Sequence, residues 1–368
     1  MINLKKNLKK TYKFIIQSLF RFIYGKVKIA SSKETSELLI IENTIIEEIK
    51  YNIFKTKNSR LYTTSVHDQS VIINNKLIPG PSFQLRVKKD DKFFARNNGT
   101  IDENIVLKIG TPRILKKIKG KVFSLLSGGA AKNNYFHWLF EILPRLEIIN
   151  KIEKIENIDF FLLPSTKMKY QIESMEMLNV HRNKLLDSTF NKHIFCDELY
   201  IVDHPFRLTN NSVYDNQNIP NWIFNWIRKK FLDQRSTSVF SKKIFIDRGK
   251  SIFGNRDIEN KDEVYEMFRN NDYQFIKLEE YGIKDQIRIF FSATIIAGLH
   301  GAGFANICFC KPNTKIIEFK TNQTGMDLGN IALKNNLDYK GIVCEAIDGY
   351  GSQQGKLVVS LENLKNEI

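Results

Sequence analysis

Two histidines stand where they could move protons or hold anions. His137 and Glu141 are four residues apart in Asn134-Tyr135-Phe136-His137-Trp138-Leu139-Phe140-Glu141, so on a helix they share one face. An imidazole beside a carboxylate can take a proton from an acceptor hydroxyl; the other reading of such a pair is a structural hydrogen bond. A zinc-type H-E-x-x-H site is excluded, because no second ligand stands at that spacing. His300 lies in Ala297-Gly298-Leu299-His300-Gly301-Ala302-Gly303-Phe304-Ala305-Asn306, between an apolar β-branched run and the start of a helix. Gly298, Gly301 and Gly303 let the backbone bend and approach a ligand closely. The free N–H groups and positive dipole end of the helix make the turn an anion site, typically for phosphate. The alternative is a tight strand–helix corner with a structural histidine. The spacing is not G-x-G-x-x-G, so no nicotinamide site is read.

Two further clusters belong to the same region. Asp247-Arg248-Gly249-Lys250, followed by Arg256 and Asn260, leaves the carboxyl end of an expected strand at 243–247. Arg248, Lys250 and Arg256 form a candidate diphosphate cradle, with a solvated basic loop as the competing reading. Glu318 sits inside Ile316-Ile317-Glu318-Phe319. An acid in an apolar strand is costly unless it is paired or bound to ligand hydroxyls. It lies 15 residues after Gly303 (318 − 303 = 15), near where nucleotide folds place a ribose-binding acid; a strand-end salt bridge is the alternative.

The elements that must position these groups follow from the pattern along all 368 residues. Apolar content of 42% is globular, whereas a net charge of +16 implies an anionic partner. Residues 1–30 form a basic amphipathic helix: Lys5, Lys6, Lys9, Lys10, Lys13 and Arg21 accompany Leu4, Leu8, Tyr12, Ile15, Leu19 and Phe22 at helical spacing, with no acid before Glu34. It is too short and too polar to span a bilayer, lacks a signal-peptide pattern, and suits an anionic membrane surface; packing on the protein's own body is the competing reading. From 33 to 120 the chain reads as short strands, including 70–73, 82–87 and 105–109, with His67 and Asp68 facing solvent in a polar turn. After Gly120, strands at 121–126, 160–163 and 199–202 alternate with helices at 135–150 and 170–178, and residues 205–220 form a linker or active-site loop. A second series places strands at 243–247, 274–278, 315–319 and 339–344 around the His300 strand. Such doubly wound halves predict parallel sheets and a cleft at strand carboxyl ends. Cys196, Cys308, Cys310 and Cys344 show no metal or disulfide spacing and read as reduced core residues.

The blocks Ile246-Asp247-Arg248, the run from Arg256 to Glu263, Gln286, Gly298-Leu299-His300-Gly301-Ala302-Gly303-Phe304-Ala305-Asn306 and Pro312-Asn313-Thr314-Lys315-Ile316-Ile317-Glu318-Phe319, preceded by Tyr135-Phe136-His137-Trp138-Leu139-Phe140-Glu141-Ile142-Leu143-Pro144-Arg145, resemble glycosyltransferase family 61 over residues 120–345. Asp247 stands where Ser is common, and Phe304-Ala305 replaces Leu-Thr. The resemblance implies an α/β, GT-B-like fold: two facing Rossmann-like domains with a β-rich N-terminal portion and the basic helix. Expected boundaries are 1–30 for the helix, 31–210 for an acceptor-side domain, 220–345 for a nucleotide-sugar-binding domain and 346–368 for a tail. The implied activity is inverting, metal-independent transfer from a nucleotide sugar, a substrate rather than a cofactor, to a glycan or lipid-linked acceptor. Bacterial members of this kind are similar to capsule polysaccharide and lipopolysaccharide enzymes, which places the chain in the cytoplasm, peripheral on the inner face of the membrane. Arg248, Lys250, Arg256, His300, Gly301, Ala302, Gly303 and Asn306 then hold the donor and Glu318 its ribose. Glu141 is the first choice for the base and His137 the second. No nucleic-acid partner is expected; a non-catalytic anion- or nucleic-acid-binding α/β protein is the alternative.

Overall fold

The computed structural model describes residues 2–89, 92–95, 100–126, 132–209, 211–232, 240–248, 256–347 and 355–368, with backbone alone at 2–6, 86–89, 92–95, 212 and 213. Lys250 and the glycine-containing turn at 127–131 lie outside the described residues. The chain is α/β and divides into two compact units, Met1–Asp215 and Asn216–Ile368.

The first unit is built on a ten-stranded mixed sheet. Its central strand, His193–Val202, runs parallel to Lys116–Ser124 and antiparallel to the long strand Ile49–Tyr62. Phe160–Leu163 and Leu185–Asp187 extend the parallel side. The wholly parallel sheet expected for this half is therefore corrected: the N-terminal strands join it as an antiparallel meander rather than forming a separate layer. Tight turns with positive φ close that meander, as at Asn74 and Asn75 (49° and 60°), residues that tolerate the left-handed region. Val122, Leu162, Ile194, Leu199 and Ile201 are buried at its core.

Three local expectations are corrected here. Residues 105–109 are a helix, not a strand: the Asn104 side chain accepts from Val106 N–H, and Gly110 ends the turn at φ 65°. Asp68 is buried rather than solvated, accepting from the backbone N–H groups of Thr64 and Ser65 at 2.6 and 3.1 Å. The single helix expected over 135–150 is three pieces: an α-turn Tyr135–His137, a π-turn Trp138–Ile142, and a helix Arg145–Asn150 beginning after Pro144. Pro144 has no N–H to continue the upstream ladder.

The second unit carries a five-stranded, all-parallel sheet. Its order is Gln274–Lys277, Lys243–Asp247, Ile295–Leu299, Lys315–Lys320, Asp338–Val343. In chain order this is 2-1-3-4-5, so winding reverses between Lys243–Asp247 and Ile295–Leu299 (ligands of open α/β sheets bind at the carboxyl ends beside such a reversal). Residues 346–368 contribute Leu357, Val359 and Leu364 to the core, alongside Phe245, Phe268, Ala297 and Ile317.

Candidate functional site

Each unit holds a histidine whose Nδ1 is gripped by a buried glutamate. In the first unit, Trp138, Leu139, Phe140 and Ile142 are wholly buried around the π-turn, which fixes the Glu141 side chain between them. π-turns often mark functional positions. Glu141 is itself wholly buried, and its Oε1 lies 2.6 Å from His137 Nδ1 and 2.7 Å from Arg207 Nη2. Its Oε2 lies 3.4 Å from His204 Nε2. Burial by itself would raise the Glu141 pKa, but the facing rings of His137 and His204 outweigh it and hold the carboxyl well below the usual range.

Proton positions follow from the partners. Backbone N–H groups of Phe206 and Arg207 both donate to His204 Nδ1, at 3.3 and 2.9 Å. Burial pushes this ring down to about 4, so near pH 7 it is neutral and carries its proton on Nε2, facing Glu141. A carboxylate only accepts, so His137 Nδ1 donates to Glu141. The His137 side chain is 19% exposed, and no hydrogen-bond partner for Nε2 occurs among the described residues. Glu141, buried and held anionic, is thus poorly placed as the base that meets a hydroxyl; its neighbour His137 reaches the surface. Arg145, also buried, donates to Leu126 O at 2.9 Å. Burial lowers its pKa to about 10, which leaves it charged.

In the second unit, Arg248 and His300 are the first residues beyond the two strands at the winding reversal. Arg248 Nη1 and Arg256 Nη1 both donate to His300 O, at 3.1 and 2.7 Å. Burial, and then the like charge of Arg248, lower Arg256 to about 10. Two cations crowded on one carbonyl favour an added anion. The chain then enters a 3₁₀ helix, Ala302–Phe309, rather than the α-helix expected; its first bond runs from Phe304 N–H to Gly301 O. The N–H groups of Ala302 and Gly303 precede that bond and have no helical acceptor.

His300 Nδ1 donates to Glu318 Oε1, and Tyr339 Oη donates to Glu318 Oε2. Glu318, expected against ribose, is instead fully buried with both oxygens engaged inside the protein. Asn306, expected against the donor, is also fully buried and donates to Gln286 Oε1 at 3.1 Å. Two of the three glycines answer to packing: a Cβ at Gly298 would lie 2.8 Å from Ile246 O, and one at Gly303 2.6 Å from Leu278 Cδ1. A Cβ at Gly301 would meet the Arg248 guanidinium at 3.4 Å.

Arg248, Arg256, His300, Gly301 and Glu318 are thus brought together, and so are His137 and Glu141. Sequence reasoning missed His204 and Arg207, which follow the strand His193–Val202 with no motif of their own. It also missed Tyr339 and a recess beside His300 lined by Arg256, Lys320, Thr321, Thr324 and Lys356. The three cations in that lining, Arg256, Lys320 and Lys356, suit a phosphorylated ligand. Among the described residues, no group of three or more His, Cys, Asp or Glu is placed to hold a metal ion. Residues 135–317 match the family model described as Glycosyltransferase 61. No curated protein matches the chain.

Proposed function

The chain belongs to glycosyltransferase family 61, which makes it a sugar-transferring enzyme with a sugar donor and an acceptor, and on that premise we propose inverting transfer from a nucleotide sugar without a metal. The proposed setting is a GT-B enzyme of cell-surface polysaccharide synthesis, such as capsule or lipopolysaccharide, with a glycan or lipid-linked acceptor.

The chemistry is a single displacement. His137 Nε2 removes the proton of the acceptor hydroxyl, and the Glu141 carboxylate stabilises the imidazolium so formed. The freed oxygen forms its bond to the anomeric carbon as the bond from that carbon to the diphosphate oxygen breaks. Charge growing on the departing diphosphate is met by Arg248, Arg256 and the Ala302 and Gly303 N–H groups. Glu318 and Tyr339 position His300, so Glu318 serves the donor site through that ring.

The observation that carries this reading is the convergence of Arg248 and Arg256 on His300 O, at the winding reversal of a parallel sheet. Calorimetric titration of Arg248→Ala and Arg256→Ala tests it. Each should weaken nucleoside diphosphate binding by about 10- to 100-fold, the loss of a charge-assisted hydrogen bond, while binding of the bare nucleoside is unchanged. Equal losses for nucleoside and nucleoside diphosphate would remove the diphosphate from this site.

A further inference from the structure

We propose that the helix Ile2–Tyr24 rests its outer face on an anionic lipid bilayer, lying in the interface rather than crossing it. The helix carries two apolar faces. One is covered by the protein: Ile16, Phe20 and Tyr24 are half-buried, Tyr24 sits edge-on to His193 at 5.0 Å, Leu115 N–H donates to Tyr24 Oη at 3.0 Å, and Arg21 donates to Lys108 O. The other consists of Leu8, Tyr12, Ile15, Leu19 and Phe22, at i, i+4, i+7, i+11 and i+14. At about 100° per residue it points about 120° away from the covered apolar face. All five are exposed, from 49% at Leu19 to 90% at Phe22.

A continuous stripe of large apolar side chains in water asks for a cover, and charge decides which. Lys9, Lys10 and Lys13 are exposed on the same helix, and no Asp or Glu precedes Glu34. A second copy packed along this stripe would bring together two helices that carry basic residues and no acid, and their like net charge repels. A surface of anionic headgroups supplies the missing negative charge while its acyl boundary takes the apolar stripe. No described helix is long and apolar enough to cross a membrane, which agrees with a helix lying flat.

The test uses the full chain with sedimented vesicles, either pure phosphatidylcholine or phosphatidylcholine with about one-third phosphatidylglycerol, an anionic fraction large enough to attract basic segments. The chain should bind the anionic vesicles at least about tenfold more tightly than the neutral ones. The triple variants Leu8→Gln/Ile15→Gln/Phe22→Gln and Lys9→Glu/Lys10→Glu/Lys13→Glu should each lose about tenfold or more of that binding. Because the altered side chains are exposed, circular dichroism and transfer to a soluble acceptor should be unchanged, which separates this proposal from the catalytic one. It is overturned if the chain stays in solution with anionic vesicles, if it binds both vesicle types equally, or if the glutamine variant binds like the parent. Light scattering that shows a dimer dissolved by the glutamine substitutions would assign the stripe to a second copy instead.

Discussion

Glu141 Oε1 lies 2.6 Å from His137 Nδ1, with the carboxylate wholly buried and the ring reaching solvent. On the proposed reading, the acid holds one nitrogen of the histidine and the other nitrogen is the group that meets the substrate. The second unit repeats the arrangement with Glu318 and His300. In both places burial removes the acid from ligands, and on the proposed reading it acts through the imidazole it holds.

Glu141→Gln should therefore lower kcat by about 100-fold or more while leaving nucleoside diphosphate affinity intact. His137→Ala should do the same, and the double variant should be no slower than either single one, because the two act as a unit. Additive losses in steady-state kinetics would show that Glu141 and His137 act separately.

Tyr339→Phe removes the hydroxyl that donates to Oε2 of the buried Glu318. A stability loss of about 1–3 kcal/mol is expected by urea unfolding. The affinity for a nucleoside diphosphate should fall with it, since His300 loses its anchor. Unchanged affinity would limit Tyr339 to a structural role.

Gly298→Ala should destabilise more than Gly303→Ala. The added methyl at 298 meets a strand carbonyl, Ile246 O, at 2.8 Å, and a strand backbone cannot retreat without breaking its ladder. At 303 it meets the tip of Leu278, which can rotate. Overpacking costs about 1–3 kcal/mol, so thermal unfolding of the pair should rank them in that order.

Stability should fall as the pH drops from about 6.5 to about 4. Burial pushes His193 and His204 each down to about 4, whereas an unfolded histidine titrates near 6.5. Across that window the unfolded chain binds more protons, which favours it. His193→Phe keeps an aromatic ring between Tyr24 and Tyr62 and removes one titrating group. Unfolding free energy measured against pH should then lose about 1.4 kcal/mol per pH unit of slope in the middle of the window. A slope equal to the parent's would mean that His193 does not titrate there.

The residues at the ends of strands were legible in the chain itself. Arg248 and His300 follow short β-branched runs, and a parallel strand ending in a polar turn announces its own carboxyl end. His137 and Glu141 were legible as a pair because helical spacing is local. The order 2-1-3-4-5, and with it the meeting of Arg248 and Arg256 at His300 O, came only from tertiary structure, since sheet order depends on which strands pair across long loops. The same holds for the roles within each pair. Whether a carboxylate meets substrate or hides behind a histidine depends on burial, and burial is set by neighbours such as His204 and Arg207, 63 and 66 residues from Glu141 (204 − 141 and 207 − 141), and Tyr339, 21 residues from Glu318 (339 − 318). Composition and periodicity specified the elements and the groups able to do chemistry; the packing of distant segments decided which of those groups face a ligand.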